Sequence, residues 1–153
     1  MYTITRAEPD DAETIARFNQ AMALETEDKE LPWQTILTGV QAMLDNDDLG
    51  FYLVAREDNE VLSCLGITFE WSDWRNGLFW WIQSVYVAPA HRNRGVFSAM
   101  YGHVRQEALS DTRSCGIRLY VERDNETAYR TYTRLGMIET DYRLMEELLQ
   151  HDA

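Results

Sequence analysis

His91-Arg92-Asn93-Arg94-Gly95-Val96-Phe97-Ser98-Ala99-Met100 is the stretch on which the fold turns. An apolar run, Phe79-Trp80-Trp81-Ile82-Gln83-Ser84-Val85-Tyr86-Val87, precedes it, and Pro89 breaks that run. A helical pattern follows. The stretch therefore reads as a strand, an arginine-rich turn with a glycine, and a helix N-terminus. Such a junction gathers backbone N–H groups that have no partner inside the helix, and the helix dipole adds to them. The chemistry it offers is anion binding, most often of a phosphate.

Charge points the same way. The chain has 14 Lys+Arg against 26 Asp+Glu, a formal net charge of −12. Yet no acidic residue occurs from Trp74 to Gln106, a window that holds Arg75, Arg92, Arg94, Arg105, His91 and His103. A carboxylate near a phosphate site would repel the ligand. A buried strand also excludes charge, which accounts for Leu78 to Val87 but not for the arginines after it.

At 153 residues the expectation is one domain, spanning 1–153, with enough chain for a full core. The N-terminus lacks the apolar core of a signal peptide, and no apolar run reaches membrane-spanning length. Cys64 and Cys115 lie in apolar, strand-like runs without metal-ligand spacing. They read as reduced core residues of a cytoplasmic protein, and no metal site is expected. The acidic balance argues against nucleic acid as a partner.

In chain order, Tyr2 to Ala7 reads as a strand. Pro9-Asp10-Asp11 opens a helix with Asp10 as N-cap and Ile15, Phe18 and Met22 on its apolar face. Glu25 to Glu30 reads as a solvated, charged loop. Pro32 opens a second helix carrying Ile36, Leu37, Val40, Met43 and Leu44. Strands follow at Phe51–Ala55, Val61–Phe69 and Leu78–Val87, the last two joined by an elaborated hairpin tip ending in Asn76-Gly77. The near-continuous apolar character of Leu78–Val87 predicts a central strand. Val96, Met100, Val104 and Ala108 make a helix stripe, and Cys115–Val121 reads as a fifth strand. Asp124-Asn125 caps a fourth helix bearing Ala128, Tyr132 and Leu135, with Gly136 as its left-handed stop. Met137 to Met145 is expected to form a last strand or a pair of short ones. The order is that of a mixed α/β sheet, not an alternating doubly wound one.

At this point the chain resembles the GNAT superfamily of acyl-CoA-dependent N-acyltransferases. Two motifs carry the resemblance. The family's acyl-CoA loop, Arg/Gln-x-x-Gly-x-Gly/Ala, reads here Arg92-Asn93-Arg94-Gly95-Val96-Phe97. Its Asn-x-x-Ala-x-x-x-Tyr-x-x-x-Gly-aromatic pattern reads Asn125, Ala128, Tyr132, Gly136 and Met137. Glu70-Trp71-Ser72-Asp73-Trp74-Arg75 also looks like a recurring bacterial subgroup. Three positions depart from the pattern. Phe97 replaces a small residue and must turn its ring away from the phosphates, toward the core or the adenine edge. Met137 replaces an aromatic. Gln83, with Ser84 beside it, stands where many members place a glutamate as general base.

The resemblance implies a mostly antiparallel central sheet of six or seven strands flanked by about four helices. It implies acetyl-CoA as co-substrate and a primary amine of a small molecule as acceptor, attacking the thioester directly. A protein or peptide amine, or a non-catalytic acyl-CoA-binding module, is the alternative. Dimers are common in the family, so a homodimer is open. Cofactor contacts would come from the loop residues Arg92, Asn93, Arg94, Gly95, Val96, Phe97 and Ser98, and from Asn125. The backbone of Val85, Tyr86 and Val87 would pair with the pantetheine amides if that strand edge is splayed open from the fifth. Tyr132 matches the family's acid for the leaving thiolate, and as a cofactor contact as well; its spacing alone is equally that of a packing stripe. Glu70, Asp73, Glu122 and His91 are candidate bases, as is a water chain including Ser84. Trp33, Trp71 and Trp74, with Glu70 and Asp73, could wall an acceptor pocket beside Gln83 and Ser84; core and rim packing is the competing reading of all the tryptophans.

Overall fold

The structure is a computed structural model that describes residues 1–151. Residues Met1–Glu122 form one compact unit, and a second begins at Arg123. The first unit holds a sheet of five strands: β1 (Thr3–Arg6), β2 (Phe51–Glu57), β3 (Glu60–Ser72), β4 (Gly77–Val87) and β5 (Ser114–Leu119). They lie in chain order. All neighbours are antiparallel except β4 and β5, which are parallel. That one parallel pair requires a crossover, which α3 (Val96–Ser110) supplies. With α1 (Ala12–Glu27), α2 (Trp33–Asp45) and α4 (Glu126–Arg134), the described residues are mixed α/β with four α-helices.

The sheet is sandwiched within the first unit. On one face, Ile15 and Ala16 of α1 and Val40 of α2 pack with Tyr52, Val54, Cys64 and Tyr86. Toward the other face, α3 turns Val96, Met100, Val104 and Ala108 inward, the stripe its four-residue spacing predicts. Ser63 links the two layers of that side, donating its hydroxyl to the Tyr86 carbonyl at 2.8 Å and to Met100 Sδ at 3.0 Å. Full burial of side chains such as Ile15, Leu53, Leu65 and Ile67 contributes about 1.5–3 kcal/mol each.

β4 carries a bulge. Gly66 pairs with Ser84 and Ile67 with Ile82, so Gln83 has no partner position on β3. The extra residue swaps the faces of the strand. Trp80 packs edge-on to Phe51 and Phe69, whereas Tyr86, also even-numbered, lies with the α1–α2 layer against Phe18.

Two expectations need correction. Asp10 does not cap α1. Pro9–Asp11 forms a turn of 3₁₀ helix closed by a reciprocal Glu8–Asp11 capping box, and α1 starts at Ala12. The buried Asp11 instead accepts the Glu8 N–H and the Arg56 guanidinium, each at 2.8 Å. The six or seven strands become five among the described residues, because Met137–Met145 forms none. Its Ile138, Tyr142, Leu144 and Met145 are 69–92% exposed, so the segment buries no apolar face of the kind that fixes a strand's register.

In the second unit Asn125 caps α4, its Oδ1 accepting the Ala128 N–H at 3.1 Å. Ala128, Tyr132 and Leu135 form the half-buried face. Gly136, at φ +104°, ends the helix. Its N–H reaches the Thr133 carbonyl and that of Met137 reaches Tyr132, the Schellman pattern.

Candidate acyl-CoA site

Pairing between β4 and β5 runs from Leu78–Ser114 to Ile82–Leu119 and stops there. β4 continues to Val87 on the β3 side alone. Gln83 to Val87 therefore present an open backbone edge, as the splayed geometry requires. The expected fifth strand ends two residues early, at Leu119 instead of Val121, and that shortening lengthens the gap.

Immediately after this edge the chain makes the arginine-rich turn. Pro89–His91 is a single 3₁₀ turn. Asn93 takes φ +63° and Gly95 φ +75°, both left-handed. Gly95 is the N-cap of α3, and no side chain caps the helix. The first intrahelical bond is Ala99 N–H to the Gly95 carbonyl. The first-turn amides thus point out of the helix beyond Gly95. A Cβ built on Gly95 would meet nothing within 4 Å, so the space above the turn is open. Ser98 is exposed, and Val96 is buried against the core. The Phe97 ring is partly buried and lies 6.3 Å from that of Tyr101, one turn along α3.

The arginines are more occupied than the sequence suggests. Arg92 donates Nε to the Val87 carbonyl and Nη2 to Glu25, both at 2.9 Å, and stands over the Tyr86 ring. Arg94 Nη1 lies 3.1 Å from His91 Nδ1. Glu25 was expected in a solvated loop, but α1 runs on to Glu27 and places it here, where it also accepts the Tyr86 hydroxyl at 2.9 Å. Burial opposes its ionisation, but the hydrogen bonds from Arg92 and Tyr86 and the charge of Arg92 outweigh it, and the carboxyl falls below its ordinary value. Burial and the Glu25 bond both raise the Tyr86 hydroxyl. Glu57 lies within electrostatic reach of the same turn. The Met1 ammonium chiefly lowers its carboxyl, with smaller contributions from Arg94 and His91. A window free of acids in sequence is not free of them in space.

The acceptor candidates divide. Glu70 Oε1 accepts both Trp81 Nε1 and Arg118 Nη1, each at 2.9 Å. Trp81 stacks on Tyr120 at 4.5 Å. Gln83 donates to Thr68 Oγ1 at 2.9 Å. Ser84 is half-buried opposite Gly66, where a Cβ would come 3.0 Å from its hydroxyl. Trp33 opens α2, packs against the α1–α2 core and receives Arg17 over its ring. The Asp73 backbone carbonyl accepts the Asn76 N–H in the turn between β3 and β4. Trp74 beside it is 86% exposed and Trp71 is exposed too, so these two do not enclose anything within the unit. Glu122 is exposed. Tyr132, on α4, is half-buried, and burial raises its hydroxyl above the ordinary value.

An open cavity of about 650 Å³ lies elsewhere in the first unit, lined by Arg6, Phe51, Trp80, Glu107 and Arg113 among others, with none of the loop residues. No helix among the described residues is long and apolar enough to cross a membrane. Among those residues no group of three or more His, Cys, Asp or Glu is placed to hold a metal ion.

Comparison with known proteins gives these findings. The profile of the Acetyltransferase (GNAT) family matches residues 18–137. A solved structure of a possible acetyltransferase from Clostridium difficile 630 is 41% identical and covers 99% of both chains at a TM-score of 0.92. Mycothiol acetyltransferase of Mycolicibacterium gilvum is 33% identical over 101 residues, 62% of this chain. That match covers only 32% of the relative's length. An aminoglycoside N-acetyltransferase solved with CoA shares the fold at a TM-score of 0.79, covering 97% of this chain and 95% of its own, with 13% identity.

Proposed function

The chain belongs to the acetyltransferase (GNAT) family and is an acyltransferase; on that premise we propose that it moves an acetyl group from acetyl-CoA to a primary amine of a small molecule. The observation that carries the reading is the open edge of β4 from Gln83 to Val87, running directly into a helix start that no side chain caps. The family uses acetyl-CoA, which supplies the acetyl group as a thioester. The residues here suit it. Backbone groups of Val85, Tyr86 and Val87 would pair with the pantetheine amides as an added strand. First-turn amides from Val96 to Ser98, with Asn93, Arg94 and Gly95 shaping the turn, would hold the pyrophosphate. Arg92 would add charge from its place against Glu25. Asn125 is a further contact by motif position and keeps its capping role.

The reaction needs one proton taken from the amine and one given to the departing thiolate. Tyr132 is our assignment for the donor. Its hydroxyl, raised by burial, keeps its proton at neutral pH and can hand it to the sulfur as the C–S bond breaks; a thiolate whose thiol pKa is about 8.5 is the weaker base, so the transfer runs uphill and the tyrosinate takes its proton back from water. For the amine's proton, Glu70 has its Oε1 already engaged by Arg118 and Trp81. Ser84, on the open part of β4, is better suited to pass it to solvent through a water chain. Gln83, Asp73 and Trp33 are left as acceptor contacts. Residues 1–153 are read as one acetyltransferase domain. Two free thiols, Cys64 buried and pushed up to about 12, suit the cytoplasm.

The test is calorimetric titration with acetyl-CoA, followed by thiol release against polyamines, amino acids, aminoglycosides and peptides. Tyr132→Phe should lower kcat about a hundredfold with acetyl-CoA affinity kept. Unchanged turnover removes Tyr132 from its role, and absence of acetyl-CoA binding removes the site.

A further inference from the structure

Arg92 makes two side-chain hydrogen bonds within the first unit, and each engages a group that matters to the acyl-CoA site. Its Nε donates to the Val87 carbonyl at 2.9 Å. Backbone groups of successive strand residues point to opposite edges. Ala88 turns its N–H to Leu62, on the β3 side, so the Val87 carbonyl faces the other way, onto the open edge beyond the last β4–β5 pair. The second bond runs from Nη2 to Glu25 Oε2, also at 2.9 Å, with the guanidinium over the Tyr86 ring. Glu25 is thus an anion held on the arginine of an anion-binding turn. Its own helix does not favour it there. It lies in the last turn of α1, against the helix dipole, and that turn holds no basic residue. Arg92 and the Tyr86 hydroxyl, which donates to Oε1 at 2.9 Å, keep the carboxylate in place.

We propose that Glu25 and the Val87 carbonyl form a latch on Arg92 which acyl-CoA displaces as it binds, so that Glu25 sets the affinity of the site by competing with the pyrophosphate. The proposal rests on the reading of the β4 edge and the turn after it as the acyl-CoA site. Acyl-CoA carries a replacement for each of the two bonds. A pantetheine amide N–H can take over the Val87 carbonyl, and a pyrophosphate oxygen can take over the guanidinium. Glu25 then keeps the Tyr86 hydroxyl and turns its other oxygen to water. Magnitudes favour this exchange. Glu25 and Arg92 are each 42% exposed, and an exposed ion pair contributes little. A pyrophosphate brings more than one negative charge and is met by the first-turn amides of α3 as well. Opening the latch subtracts from acyl-CoA binding, and removing the Glu25 charge restores that loss.

The experiment is calorimetric titration of acetyl-CoA into the full chain and its variants. Glu25→Gln should tighten acetyl-CoA about two- to fivefold, the worth of an exposed ion pair. An unchanged or weaker Kd means that Glu25 supports Arg92 instead of competing for it, and overturns the proposal. The same substitution in an Arg92→Ala chain separates the latch from the mere loss of a negative charge. With no guanidinium to release, Glu25→Gln should leave the Kd of that chain unchanged. Equal tightening in both backgrounds overturns the latch. Glu27→Gln is the control for charge, since Glu27 pairs with Lys29, and it should leave Kd unchanged. Tightening as large as that of Glu25→Gln would again overturn the latch. Wild type that binds acetyl-CoA while Glu25→Gln changes nothing sinks the latch alone. Wild type that does not bind overturns the underlying site, and the latch with it.

Discussion

Gly95→Ala separates the cost of shaping the loop from the cost of losing its ligand. Gly95 sits at φ +75°, ψ 15°, a conformation an alanine adopts at a penalty of about 1 kcal/mol. No steric term is added, because a Cβ there meets nothing within 4 Å. For a chain of this size that is a fall in Tm of about 2–4 °C. Binding should suffer more. The open space is where the pyrophosphate would sit against the first-turn amides, and each bond to a charged group is worth about 1.5–3 kcal/mol. Losing one such bond weakens acetyl-CoA by about ten- to a hundredfold. The assay pairs thermal melts with calorimetry on acetyl-CoA and on a pantetheine fragment that lacks the pyrophosphate. The fragment should lose little. Equal losses for both ligands, or a Kd unchanged while Tm falls, would refute the assignment of this turn to phosphate. Gly50→Ala is the contrast: at φ +148°, its Cβ would lie 2.0 Å from the Ile67 carbonyl oxygen, and the variant should not fold.

Glu25→Gln should cost less than about 1 kcal/mol, since Glu25 and Arg92 are each 42% exposed. The folded carboxyl lies below its ordinary value of 4.5, so its contribution is complete above that value and disappears as pH falls through the lower folded one. Urea denaturation should therefore show a constant gap from wild type between pH 7 and about 5.5, shrinking below 4.5; a gap that grows on acidification contradicts the ion pair. Asp11→Ala strands Arg56 and the Glu8 N–H, and should cost about 2–4 kcal/mol in chemical denaturation with an unchanged m-value. A loss under 0.5 kcal/mol, at the level of an ordinary surface change, would mean that water replaces that carboxylate.

What could be read from the residues was local. Four-residue spacing gave the α3 stripe, Asn125 and Gly136 bounded α4, and the glycine after the arginines marked the turn. All of these depend on neighbours within a few positions. The contacts that were missed are distant in sequence. Glu25 meets Arg92 across 67 positions, and only the length of α1 brings it there. Glu70 meets Arg118 across 48 positions, a contact that its neighbours in sequence do not announce. Asp10 lost the cap because Pro9 favours a 3₁₀ turn whose reciprocal bonds need Glu8 and Asp11.

The unpaired Gln83 is the one residue by which this part of β4 outruns β3. Upstream of it, even-numbered Trp80 faces Phe51 and Phe69; downstream, even-numbered Tyr86 faces α1. Deleting Gln83 would leave Ile67 opposite Ile82 and Gly66 opposite Ser84, with Val85 and Tyr86 on the faces they hold now. The strand would lose its bend and keep its frame. Deleting the paired Val85 does the opposite: it leaves the bulge in place and carries the Tyr86 ring to the other face, away from Glu25. Tolerance of a missing residue in β4 is therefore set by whether that residue has a partner across the ladder, and not by what its side chain touches.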